Sequence, residues 1–409
     1  MEESTKKRQY KSPELFTYGF VKFALRLLAP IFLKLKIERD PEIRHLKGPI
    51  VAIGTHSCLM DVAFSILSIN NRRLNVICGR DVLSWKWLDF LRKGLRMIPI
   101  NQYEMDLTSI KDMKKAIDDG CSISLFPEGK ISLDGRNLHY LTPSTAKLMK
   151  FFGANIVFSH SYGGFCSRPR WYHGFKKGKV HYKSEVLFTK EELADASCQE
   201  VYDKLKEKFT FNDNLFQIEN GLRYRSKSPA KGLDYLLYKC PKCGAEYEMD
   251  NDGWSLTCKI CGNKVNVDEY GHILPDSEKD IAYNRVDLWY DFEKESVRKE
   301  LLNPEMELKK DVEWKILNYQ TAQYESAGEG VCFVNHEYIG FEGKDLEGNE
   351  VSIKCPMKNL YTIIIKNEEG IDLTIDHVVH RFYFKEKKYS VKYNLIVEEN
   401  FRKLNNIQA

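Results

Sequence analysis

The feature that most constrains this chain is an alternation, between residues 49 and 187, of short apolar runs with stretches of helical periodicity. Apolar runs at 49–54, 74–78, 97–100, 122–126, 155–159 and 180–187 read as strands, and helical stretches fall near 59–69, 84–93, 107–119 and 144–152. Strands that are apolar throughout, joined by helix-length crossovers, belong to a largely parallel sheet covered on both faces. The spacing therefore predicts an α/β domain with helices flanking the sheet. In such sheets reactive groups gather beyond the carboxyl ends of the strands.

Two of those strand ends carry chemistry. The first strand, within Pro49-Ile-Val-Ala-Ile-Gly54, is followed at once by Thr55 and His56, with Asp61 five positions further on at the start of a helical pattern. An acid one turn into a helix gains from the positive helix N-terminus and can orient an imidazole. The fourth strand runs into Leu125-Phe-Pro-Glu-Gly-Lys130. Pro127 and Gly129 enforce a sharp turn that presents Glu128 at the same edge as His56.

THSCLMD, LRMIPINQ at 95–102 and FPEGKIS stand in this order, and here the sequence resembles the glycerolipid acyltransferases, the 1-acylglycerol-3-phosphate acyltransferases and their relatives. Their blocks are NHxSxxD, GMIPINR and FPEGTRS, and the resemblance covers about residues 15–210. It implies a general base, His56, that deprotonates an acceptor hydroxyl as it attacks an acyl thioester. Asp61 would hold the imidazole in the useful tautomer. The donor would be acyl-CoA or acyl-ACP, and the acceptor a lysophospholipid such as 1-acylglycerol 3-phosphate. Because a thioester is already activated, Ser57 and Cys58 are expected to be structural rather than nucleophilic. Phe126, Pro127, Glu128 and Gly129 would shape the acceptor site. The family's phosphate-holding arginines are replaced by Gln102 and Ile131, so Lys130, with Arg96 or Arg136, is left to meet a phosphate. An acceptor without a free phosphate stays open.

The chain has 409 residues, enough for two or three domains, and 43% apolar and 29% charged residues are ordinary for a globular protein. Net charge is only +4, but its distribution is uneven. From Ser4 to Lys36 there are eight Lys or Arg and one acid, Glu14. Residues 12–37 carry a helical pattern in which Phe16, Phe20, Phe23, Ala24, Leu27, Leu28 and Ile31 share a face. With Lys6, Lys7, Arg8 and Lys11 beside it, this reads as a helix lying in an anionic membrane surface; the alternative is a helix packed on its own domain. Pro30 should end or kink it. Lys22 and Arg26 interrupt the run, so neither a signal peptide nor a conventional spanning helix is expected.

The second basic segment, residues 163–183, has six bases, no acid, and Trp171, Tyr172 and Phe175 among them. It suits an anionic headgroup or a nucleotide-bearing acyl donor, with a solvated loop as the alternative.

Of 11 cysteines, four form Cys240-Pro-Lys-Cys243 and Cys258-Lys-Ile-Cys261, each pair followed by glycine. This is a zinc-ribbon pattern: four thiolates close a tetrahedral site and make the metal structural. The remaining seven are scattered, which favours a reducing compartment. The expected location is cytoplasmic, peripheral on the inner face of a membrane. The ribbon's loop is acidic, so no nucleic-acid partner is expected.

Beyond the ribbon, residues 277–325 look charged and helical. Apolar runs at 331–341, 350–355, 359–365, 371–375 and 379–385 then read as strands, followed by a helix at 390–405 with Val391, Leu395 and Phe401 inward. That order resembles a PH-like or GRAM-like domain, which would bind a lipid headgroup or a protein. The expected units are a membrane-interacting N-terminal region (1–37), the α/β domain (38–210), a connection (211–235), the ribbon (236–275), a helical linker (276–327) and the β domain (328–409). The rival to an enzyme is a non-catalytic lipid-binding or scaffold protein on the same fold.

Overall fold

The structure is a computed structural model that describes residues 9–84, 89–102, 106–137, 140–366, 368–386 and 388–407. Lys6, Lys7 and Arg8 therefore lie outside the described residues, as does the first part of the helix expected near 84–93.

The apolar alternation folds as expected into a mainly parallel sheet. Helix α1 (Leu15–Phe32) leads into strand β1 (Lys34–Arg39), then β2 (Ile50–Gly54), α2 (Asp61–Ser68), β3 (Leu74–Gly79), α3 (Asp89–Gly94), β4 (Ile98–Ile100), α4 (Leu107–Asp118), β5 (Ser122–Leu125), α5 (Ser144–Phe152), β6 (Asn155–Tyr162) and β7 (Lys179–Phe188). The strand order is β1-β7-β6-β2-β5-β3-β4. β6, β2, β5, β3 and β4 run parallel, whereas β7 is antiparallel to β6 and parallel to β1. Strand β2 lies between β5 and β6, so the chain crosses β2 in passing from one to the other. In sheets of this kind the carboxyl ends of the strands beside such a crossing are the position used for ligands.

β1 corrects the sequence reading, which carried the first helix to residue 37. Lys34-Leu-Lys-Ile-Glu-Arg39 alternates with period two, and β7 offers a free edge for it to pair with. Helix α1 ends as Pro30 foretells, within one turn of the proline. Its apolar face is bare: Phe16 is 81% exposed, Phe23 66% and Leu27 61%. The opposite side holds the domain. Tyr18 is buried, and Lys22 Nζ donates to the Ile69 carbonyl at 2.7 Å. By length and apolarity alone α1 could cross a membrane, despite Lys22 and Arg26.

Residues 190–209 form two helices, Lys190–Asp195 and Cys198–Phe209, each opened by its own capping box, Thr189/Glu192 and Ser197/Glu200. The cysteine segment forms a four-stranded antiparallel sheet. Gly244 and Gly262 adopt φ of 77° and 71°, left-handed turns that cost a glycine little. The stretch 277–325 is only partly helical: after Val286–Glu300 the chain enters strand Glu307–Asn318, ahead of the expected boundary at 328. Its charged residues alternate with Leu308, Val312, Trp314 and Ile316, a period-two pattern behind dense surface charge.

Seven antiparallel strands, in the order 350–356, 338–345, 323–335, 307–318, 378–384, 370–375, 364–366, make the last sheet. The C-terminal helix Ser390–Leu404 covers it, with Val391, Leu395 and Phe401 buried as expected. One continuous apolar core runs from Phe165 and Trp171 through Tyr238 and Trp289 to Phe341 and Val397. The helix 286–300 is thus shared interior rather than a linker: Trp289 is fully buried, and its indole N–H donates to the Lys239 carbonyl at 2.9 Å.

Candidate active site

His56 sits just past β2, with its side chain 16% exposed, and Asp61 begins α2 wholly buried. Asp61 Oδ2 accepts from His56 Nδ1 at 3.3 Å and from the Cys58 backbone N–H at 2.7 Å. Its Oδ1 accepts from Ser161 Oγ at 2.6 Å. A buried carboxylate is costly unless its lone pairs are filled, and these donors fill them. With Nδ1 turned to the acid, His56 leaves Nε2 as the nitrogen that can take a proton.

The FPEGK turn packs beside it. Phe126 stacks on the His56 ring at 4.6 Å between centroids. Glu128 Oε1 accepts the His56 backbone N–H at 2.7 Å, so this carboxylate holds the histidine's main chain. The Ser132 N–H donates to the His56 carbonyl at 2.8 Å, fastening the same residue from its other side. Gly129 takes φ of 71°, and its carbonyl accepts from Gln102 Nε2 at 2.7 Å. A Cβ on Gly79 would come within 2.1 Å of Gln102 Oε1, so that glycine makes room for the contact. Gln102 therefore supports the turn.

Ser57 and Cys58 have structural surroundings, in line with the expectation. Asn137 Nδ2 donates to the buried Ser57 Oγ at 3.1 Å. Burial, reinforced by the Asp61 carboxylate, raises the Cys58 thiol well above its ordinary range, which removes it as a nucleophile at neutral pH.

The cations expected near an acceptor are not gathered at His56. Arg96 precedes β4, and its carbonyl accepts from Asn75 at 3.0 Å near the start of β3, the sheet edge opposite His56. Arg136 is clamped by Asp134 and by both carboxylate oxygens of Asp291, at 2.9 and 2.8 Å. Lys130 turns to the C-terminal domain, where Nζ donates to Thr362 Oγ1 at 2.9 Å and pairs with Glu398. Ile131 is buried.

Within the basic segment 163–183, Lys177 and Lys179 stay exposed, whereas Lys176 turns inward. Trp171 is buried, with Lys176 Nζ 4.3 Å from its ring centroid and donating to the Pro229 carbonyl. Burial lowers Lys176 to about 7. These side chains join the shared interior.

Sequence reasoning missed Ser161 and His160. Both sit on β6, which pairs with β2 through Gly54 and Ser159. Thr55 Oγ1 and His160 Nδ1 lie 2.8 Å apart, directly behind His56. The signal was register: only the β2–β6 pairing brings Ser161 level with Asp61.

Residues 34–182 match the family model described as Acyltransferase. The matched stretch contains His56, Asp61, the FPEGK turn and Ser161. Among solved structures, the chain is similar to the 1-acyl-sn-glycerophosphate (LPA) acyltransferase PlsC from Thermotoga maritima, at 17% identity and a TM-score of 0.38, covering 47% of this chain and 76% of that one. It is also similar to the Ran-binding domain of the nuclear complex component Nup2 from Ashbya gossypii, at 14% identity and a TM-score of 0.19, covering 25% of this chain and 98% of that one. No curated protein matches the chain.

Away from this site, the thiols of Cys240, Cys243, Cys258 and Cys261 lie within 4.8 Å of one another. Cys240–Cys261 and Cys243–Cys258 Sγ separations are both 3.7 Å. A disulfide needs about 2.05 Å, whereas tetrahedral Zn–S bonds of about 2.3 Å put sulfurs roughly 3.8 Å apart. The four residues fit zinc.

Burial holds His160 at about 3, against 6.5 for a free imidazole. The unfolded chain therefore binds a proton that the folded one refuses between those values, and stability is lost as pH falls from about 6.5 towards 3. A His160→Gln variant should lose less of its unfolding temperature between pH 7 and pH 4 than the wild type does. Parallel slopes in thermal melts would show that His160 is not the group responsible.

Proposed function

We propose that this protein is an O-acyltransferase that moves a fatty acyl group from acyl-CoA or acyl-ACP to the hydroxyl of a lysolipid in phospholipid synthesis. The observation that carries the reading is the His56–Asp61 pair within the acyltransferase domain, its backbone pinned by Glu128. His56 Nε2 takes the hydroxyl proton as the acceptor oxygen attacks the thioester carbon. A C–O bond forms, the C–S bond breaks, and the departing thiolate takes the proton from the imidazolium. Asp61 keeps the histidine's tautomer and stabilises its charged form.

The bare face of α1 supports a peripheral position on the inner face of a membrane, with anionic lipids as partners. Each large apolar side chain moved from water into the interface contributes roughly 1.5–3 kcal/mol. Meanwhile the helix's buried side and the Lys22 bond hold it to the domain, which favours lying on the surface over crossing it. Cys240, Cys243, Cys258 and Cys261 would hold a structural zinc ion, which supplies folding energy and takes no part in acyl transfer.

His56→Ala should lower acyl transfer from oleoyl-CoA to a lysolipid panel by about 10²–10⁴-fold with the unfolding temperature little changed. Unaltered turnover would sink the base assignment. Phe20→Asp with Phe23→Asp should weaken co-sedimentation with phosphatidylglycerol vesicles by about tenfold or more. Binding equal to the wild type would mean that α1 does not touch lipid. Metal analysis of the purified protein should find about one zinc per chain, and chelation or Cys240→Ser should lower the unfolding temperature. A metal-free protein that is indifferent to chelator would refute the zinc site.

A further inference from the structure

Lys130 is the cation that the FPEGK turn offers to an acceptor, and a carboxylate from the far end of the chain already holds it. Glu398, on the C-terminal helix, pairs with Lys130 Nζ, with side-chain exposures of 5% and 16%. Thr362 completes the arrangement: it accepts from Lys130 at 2.9 Å and donates to Glu398 Oε1 at 2.6 Å. Burial of both partners makes the pair durable as well as demanding, since removing one member strands the other.

Glu128, Lys130, Tyr140, Tyr361, Glu398 and Arg402 face one cavity. Glu128 ties this wall to the reaction, because the same side chain accepts the His56 backbone N–H. Tyr361 lies between the two acids, where burial and the charges of Glu128 and Glu398 raise its phenol. Tyr140 closes the side against Phe401 at 5.3 Å between ring centroids. The remaining space is about 20 Å³, about enough for one water. The cavity's two acids balance its two cations. A phosphate monoester, carrying about −1.5 to −2 at neutral pH, would find no surplus positive charge beside Lys130.

Arg136 is committed to Asp134 and Asp291, and the Arg96 backbone is held near the start of β3, at the sheet edge opposite His56. Resting on the acyltransferase reading above, we propose that Glu398 is a specificity-determining residue that selects against phosphate monoesters. The acceptor class is a hydroxyl-bearing lipid whose headgroup is neutral or a phosphodiester. Glu398 occupies Lys130 permanently, as an internal substitute for the phosphate that the related blocks are built to hold. The His56 side chain is 16% exposed and lies outside the Lys130–Glu398 pair. The transfer is unchanged: the acceptor oxygen gains the acyl carbon, the thioester C–S bond breaks, and the hydroxyl proton passes through His56 to the leaving thiolate.

The test measures kcat/KM with oleoyl-CoA for three acceptors: 1-oleoylglycerol, 1-oleoyl-glycerophosphoglycerol and 1-oleoylglycerol 3-phosphate. The full-length wild type should favour one of the first two over the third by at least about tenfold, a ratio that needs no variant. Glu398→Gln should shift the ratio at least about tenfold towards the phosphate monoester by freeing Lys130. Adding Lys130→Gln should abolish that shift. A wild type that prefers the phosphate monoester overturns the proposal, as does a ratio unmoved by Glu398→Gln. An equal rise on all acceptors also overturns it, because Glu398 would then be part of a lid. A wild type that acylates none of them and releases no thiol from either oleoyl-CoA or oleoyl-ACP removes the acyltransferase reading, and the proposal falls with it. Transfer with an unchanged ratio removes the proposal alone.

Discussion

The carboxylate of Asp61 is the point on which the site's geometry depends. It is buried, and its donors come from the chain just before it and from β6 across the sheet: His56 Nδ1, the Cys58 N–H and Ser161 Oγ. An ion in that position is tolerated because each contact is a charge-assisted hydrogen bond. The same contacts fix the turn between β2 and α2, leaving the imidazole little freedom except to present Nε2. A loss of Ser161 would reach the histidine through Asp61, although the two residues are far apart in sequence. The parallel pairing of β2 with β5 and β6 makes this convergence possible, by bringing three strand ends to one edge.

A second layer of support acts on the backbone. Glu128 takes the His56 N–H, Ser132 donates to the His56 carbonyl, and Gln102 bonds the Gly129 carbonyl. Residues that a motif comparison treats as substrate contacts thus bind the protein itself. Gln102 illustrates the change in chemistry: an amide can hold a loop carbonyl at hydrogen-bond distance, but it brings no charge for a phosphate.

Much of this was legible in the sequence where a single physical signal dominated. Buried parallel strands write themselves as continuous apolar runs, and β2 to β7 fall close to the expected positions. The paired cysteines with their following glycines declare a knuckle geometry, and the thiols do converge. Legibility failed where two signals competed. Lys34–Arg39 has the alternation of a strand, but it adjoins a strongly helical segment and was absorbed into it. Glu307–Asn318 hides its period under alternating charge. The roles of Ser161, Glu398 and Thr362 could not be read at all, since they arise from pairing and docking between distant segments. Within the basic stretch 163–183, composition shows that Lys176 is a cation, but only packing shows it seated over Trp171.

One residue, Leu33, separates α1 from β1, and it is buried. An anchor on a long tether raises local concentration but leaves its cargo free to tumble. A helix joined this tightly to a sheet strand has no such slack. Lodged in a lipid surface, it would act as a keel, setting the height and tilt of the whole sheet above the bilayer. Phe32, at its end, stacks on Phe175 at 5.1 Å between ring centroids, and Phe175 packs with Cys58 and Phe64 beside the turn that carries His56. The search for an acceptor would then be two-dimensional, with orientation settled before any substrate arrives.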